Sequence, residues 1–191
     1  MLNRRAWLRT HGFAAICGSV GAANVFFASS GRIAAAGPMA RDLLVSWNDI
    51  ARKLVDMAED FPEDKYDWRP APGVRSFAEQ LLHAAGFVTY VGANAKSLHP
   101  NVADPTRASF KSKAAITAYV KRVYADGAKS IAALSDERLQ SSLDVGLRSR
   151  PQASLYGLWD TVVEHSGEHY GQLVVYYRLN NLVPPESRPK K

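Results

Sequence analysis

The amino-acid sequence predicts an all-α protein, a four-helix bundle, and three observations carry that expectation. Four stretches repeat apolar residues at alternating spacings of three and four. Their ends coincide with prolines, glycines or capping residues. Runs that alternate apolar with polar residues are short and lack Gly-bounded partners, so strands are not expected. The first stretch, Met39 to Asp60, lines up Leu43, Trp47, Ile50, Leu54 and Met57, continued by Phe61, with Leu44, Ala51, Val55 and Ala58 alongside. This is an amphipathic helix. From Phe61 to Gly73, Pro62, Pro70, Pro72 and Gly73 impose a loop, and Ser76-Phe77-Ala78-Glu79 then matches a capping box that starts a second helix at Ser76. Its stripe reads Phe77, Leu81, Ala84, Val88 and Val91, and Pro100 ends it. After a polar connection holding Pro105, Ser112 to Leu134 sets Ile116, Val120, Val123, Ile131 and Leu134 on one face, tolerating Gly127. Ser135 to Gln152 is turn-rich. Ser154 to Leu179 is free of proline and stops at Asn180-Asn181 before Pro184-Pro185, which makes it the longest helix.

Charge and length narrow the classes. The chain has 191 residues, 24 Lys plus Arg against 18 Asp plus Glu, and 47% hydrophobic residues, the profile of a globular domain rather than a disordered tail or disulfide scaffold. Residues 1–36 hold Arg4, Arg5, Arg9 and Arg32 and no acid, leaving 20 basic against 18 acidic residues beyond them. The excess charge is therefore concentrated in the leader, and nucleic acid is not expected as a partner.

Residues 1–36 have the order of an export signal. Asn3-Arg4-Arg5-Ala6-Trp7-Leu8-Arg9 precedes a mildly apolar run from Gly12 to Ala28. The paired arginines, and the dilution of that run by Gly18, Ser19, Gly21 and Asn24, resemble the twin-arginine type, which exports folded domains in bacteria. Ala34-Ala35-Ala36 suggests cleavage before Gly37, giving a domain of residues 37–191 and a periplasmic or otherwise exported protein. The glycines and serines make the run a poor bilayer span, so no stable membrane anchor is expected after cleavage. The only cysteine, Cys17, lies in the leader. The mature domain then has neither a disulfide nor a thiolate ligand.

Three histidines carry whatever chemistry the domain has. The core-facing stripe of the last helix reads Leu158, Val162, His165, His169, Gln172 and Tyr176, with polar rings where the spacing expects leucine. Burying them unpaired would cost several kcal/mol. Residues four apart on a helix are neighbours, so His165 and His169 can converge on one ion, and Ser166 and Gly167 between them leave room for an approaching helix or ligand. His83 lies on the second helix, followed on its face by Phe87 and Tyr90. Where these two helices meet, His83 completes a three-nitrogen set with open coordination positions. Spacing alone leaves a second reading, in which the rings are core histidines bonded to a carbonyl or a tyrosine.

The segments Trp68-Arg69-Pro70-Ala71-Pro72-Gly73, Glu79-Gln80-Leu81-Leu82-His83 and Glu164-His165-Ser166-Gly167-Glu168-His169-Tyr170-Gly171-Gln172-Leu173, with Pro184-Pro185 beyond, resemble the DinB-like family, also called DinB/YfiT-like. The resemblance spans essentially the whole of residues 37–191. It implies a four-helix bundle holding one divalent metal on His83, His165 and His169. Three imidazoles suit zinc or nickel, with iron or copper as alternatives. Relatives implied by the resemblance include thiol-dependent S-transferases and a maleylpyruvate isomerase. Export weakens the thiol reading, because small thiols are chiefly cytoplasmic.

The expected activity is therefore metal-dependent hydrolysis or group transfer on a small molecule. The alternative is a non-catalytic bundle that binds a metal or a small ligand. A third reading follows from His165-Ser166-Gly167-Glu168-His169, which fits the H-x-x-E-H zinc-peptidase pattern. That pattern needs a downstream acidic ligand, and Glu186 is the sole acid after His169. Glu168 points away from the stripe, Glu79 could hydrogen-bond His83 or serve the capping box, and His99 belongs to a surface loop. Gln172, one turn beyond His169, either orients a ligand or pins a helix contact. Tyr156, Trp159, Tyr176 and Tyr177 are core aromatics, and aromatics exposed on a helix face would fit a homodimer.

Overall fold

A computed structural model describes residues 36–94, 105–147 and 150–189. Residues 1–35, which hold nearly all of the expected export signal, and His99 lie outside the described residues. The elements are α1 (Pro38–Asp60), a 3-10 turn (Glu63–Lys65), α2 (Phe77–Asn94), α3 (Lys113–Ala132), the one-turn helix α4 (Asp136–Gln140), β1 (Ser142–Leu147), β2 (Arg150–Ser154), α5 (Leu155–Leu179) and a 3-10 turn (Pro185–Ser187). No described helix is long and apolar enough to cross a membrane.

Three of the four long helices start at a serine cap, whereas α1 starts at Gly37 with Pro38 in its first turn and no side-chain cap. The Ser112 hydroxyl accepts from the Ala115 N–H, and the Ser154 hydroxyl from the Gly157 N–H. Ser76 and Glu79 form the reciprocal pair: the Glu79 N–H donates to Ser76 Oγ at 3.3 Å, and the Ser76 N–H to Glu79 Oε2 at 2.8 Å. The α1 stripe is buried as its periodicity predicts, from Leu43 through Trp47, Ile50 and Leu54 to Met57.

The bundle is a square in which α1 packs mainly on α3 and α5, and α2 on the same two. Helices α1 and α2 are thus diagonal, which is why the long proline-rich segment between them is needed. Their separation leaves α2 flush against α5. Two aromatic groups fill the interior. Trp47 donates from Nε1 to the Tyr124 carbonyl at 3.0 Å and meets Trp159 edge-on with centroids 5.4 Å apart. Phe61 stacks on Phe77 at 3.8 Å, with Tyr66 and Tyr177 against them.

Three expectations are corrected here. Ser135 to Gln152 contains a short helix and an antiparallel hairpin, β1 with β2, whose register shifts between Asp144 and Leu147. On α3 the buried line runs Ile116, Val120, Tyr124, Gly127 and Ile131; Val123 and Leu134 are half-buried. Gly127 is required rather than tolerated, because a Cβ there would stand 2.2 Å from Trp47 Cζ2. Large apolar side chains exposed among the described residues are all aliphatic, namely Val45, Val74, Val175, Leu179 and Val183.

Candidate metal centre

Where α2 meets α5, His83 faces His165 and His169. The rotation of α5 is fixed one residue away, where fully buried Ser166 shares a 2.8 Å hydrogen bond with the Tyr124 hydroxyl of α3. That contact aims the flanking histidines at α2. Ring centroids are 5.3 Å apart for His83 and His165, 5.0 Å for His83 and His169, and 4.4 Å for His165 and His169. One ring nitrogen from each of the three lies within 4.8 Å of the others.

The nitrogens are presented as ligands would be. His165 Nε2 and His169 Nε2 are 3.1 Å apart. Two imidazoles bound to a tetrahedral ion at about 2.0–2.1 Å hold their nitrogens roughly 3.3 Å apart, so the pair is close to the spacing such an ion requires. The outer nitrogens point elsewhere: His169 Nδ1 stands 3.1 Å from Gln172 Oε1, and His165 Nδ1 lies 3.8 Å from the exposed Glu168 carboxylate. An Nδ1–H donated to Gln172 fixes the tautomer that leaves the His169 Nε2 lone pair free. Burial, then the neighbouring His165 and His83, push the His169 pKa down to about 4. His169 is therefore neutral at ordinary pH, the form that ligates a metal. The donor set fits a divalent transition metal. His83 and His165 are only partly buried, and the Phe87 ring, 4.4 Å from that of His165, forms one wall.

The buried face of α5 differs from the predicted stripe. It runs through Val162, Ser166, His169, Leu173 and Tyr176, with His165 half-buried and Gln172 exposed. A small hydroxyl at Ser166, satisfied by Tyr124, lets that position replace His165 in the core. A Cβ at Gly167 would meet nothing within 4 Å, so no close approach occurs there.

The Glu79 carboxylate is taken by the capping box and by Arg69, whose Nη2 donates to it at 2.7 Å. Glu186 pairs with Arg52 at 2.5 Å. Asp160 is exposed. Tyr177 bonds the Met57 carbonyl and Asp60, and Tyr176 the Arg75 carbonyl at 2.5 Å, both as core aromatics. Sequence reasoning missed Gln80, 5% exposed, whose Oε1 has no hydrogen-bond partner among the described residues. Its signal was an amide three residues before His83 on an otherwise apolar face.

Fold and site together define a class: a four-helix bundle that converges one histidine from α2 and an H-x-x-x-H pair from α5. The DinB superfamily profile matches residues 47–173, which include all three histidines, and the chain belongs to that superfamily. Among solved structures it is similar to a DinB-like protein from Bacillus cereus, with a TM-score of 0.61 and 18% identity over 75% of this chain and 93% of that one. That likeness concerns the fold. No curated protein matches the chain.

Proposed function

We propose that the protein is an exported metal-binding bundle that holds one divalent transition metal on His83, His165 and His169 and acts on a small molecule by metal-dependent hydrolysis or group transfer. The observation that carries the reading is the 3.1 Å approach of two Nε2 atoms, with their Nδ1 atoms turned outward, beside a third imidazole on the neighbouring helix. Three protein ligands leave coordination positions open, and an ion so held supplies Lewis-acid polarisation of a substrate oxygen or activation of a water. The chain's own residues keep His169 neutral, orient its ring through Gln172 and leave His83 and His165 partly open to solvent. A second reading, a non-catalytic metal-binding or ligand-binding bundle, is favoured by the placement of Glu168. Its side chain is 63% exposed and on the outer side of His165, where it is not positioned as a general base.

The test is elemental analysis of the full chain, purified without a histidine tag, beside His83→Ala and His165→Ala. About one equivalent of zinc, nickel, iron or copper in the native chain, lost in both variants, is expected. No metal after reconstitution would overturn the reading. The leader supports export, with fractionation of a bacterial host expected to find the chain in the periplasm, beginning at Gly37.

A further inference from the structure

A groove of about 630 Å³ opens beside the histidines, lined by Gly73, Val74, Arg75, Gln80, Gln172, Val175 and Tyr176. It reaches the triad through Gln172, which bonds His169, and through Gln80, one turn before His83 on α2. Its polar groups do not satisfy one another. Arg75 is exposed and makes no ion pair with any described residue. Gln80 is 5% exposed and its Oε1 is an unpartnered buried acceptor. An amide oxygen left so is destabilising unless something donates to it. Gln172 uses Oε1 on His169, which leaves its N–H groups for the groove.

The loop that carries Arg75 is held in shape. The Val74 N–H bonds the Ala71 carbonyl at 3.2 Å, closing a turn with Pro72 and then Gly73 at φ +81°, where a side chain would be strained. Arg69 Nη1 donates to the Val74 carbonyl at 2.8 Å, and the Tyr176 hydroxyl to the Arg75 carbonyl. The backbone of Arg75 is thus pinned from both sides while its guanidinium is unpaired.

We propose that this groove binds a small carboxylate that also bears an N–H or O–H donor and a short apolar body, such as an N-acylated amino acid or a hydroxy acid. Arg75 and the Gln172 amide take the carboxylate. The donor satisfies Gln80 Oε1, and the apolar body lies on Val74, Val175 and Tyr176. One guanidinium matches a singly charged carboxylate better than a phosphate, which draws on several donors at once. The proposal deepens the functional reading above and rests on it for the fate of the bound molecule, but binding is tested without metal.

The probe is N-acetylglycine, titrated into metal-free full-length protein and followed by NMR. Saturable binding near the millimolar range is expected, with roughly tenfold weaker binding in Arg75→Gln and recovery in Arg75→Lys. The methyl ester, which lacks the charge, should bind native protein and Arg75→Gln alike. N-acetylsarcosine, which lacks the N–H, should bind native protein more weakly, and Gln80→Met should abolish that discrimination. Absence of saturation, or equal affinity of native protein and Arg75→Gln for N-acetylglycine, would overturn the proposal. Failure of the metal reading shows separately, as absence of metal from the native chain whatever N-acetylglycine does.

Discussion

At Gln172 a single amide holds the His169 ring from outside, with Oε1 3.1 Å from Nδ1. Such partners set ring orientation and tautomer, so Gln172→Leu should leave the helical circular-dichroism spectrum unchanged while weakening metal retention about 10–100-fold in a chelator competition. The glycines divide by what surrounds them. A methyl group at Gly127 would meet Trp47 at 2.2 Å, so Gly127→Ala should lower stability by about 1–3 kcal/mol in urea unfolding. Gly171, also helical, is exposed and has nothing within 4 Å of that position. Gly171→Ala should therefore stabilise the chain by about 0.5–1 kcal/mol.

Among the elements, the start of α2 has a testable electrostatic signature. The Arg69 guanidinium, aided by the Ser76 N–H, holds the Glu79 carboxyl below its ordinary 4.5. A carboxyl depressed in the folded state contributes its full stability above the unfolded value and loses it as pH falls through the folded one. The melting-temperature gap between native protein and Glu79→Gln should therefore be widest near neutrality, reflecting about 0.5–1 kcal/mol, and close as pH drops below 4.5. Helix starts at Ser76, Ser112 and Ser154 were legible because capping residues are local. The hairpin was not. Leu143, Val145 and Leu147 do alternate, but Pro151 sits in the returning strand and the connection lacks a Gly-bearing pair. The three histidines were legible from spacing and resemblance. Burial at Ser166 in place of His165 depended on Tyr124 of another helix, a tertiary contact that periodicity within α5 cannot contain.

For the molecule as a whole, an ion held on His83, His165 and His169 would brace α2 against α5. A ligand that binds only the folded chain adds stability by mass action, about 2.7 kcal/mol at a concentration one hundred times its dissociation constant. Zinc should raise the unfolding temperature of the native chain in a concentration-dependent way and have little effect on His83→Ala. A flat response in the native chain would remove the brace. The square arrangement also sets an order of events. His83 lies far from His165 and His169 along the chain and joins them only where α2 lies against α5. The three histidines therefore converge only with the tertiary fold, and a metal held there would be chosen wherever folding finishes. Transition metals at histidine sites are selected largely by availability, so a chain carried across a membrane after folding would arrive with the ion of the compartment it left. One that folds after crossing would take the ion it meets there, and the metal recovered from the native protein would record which route it took.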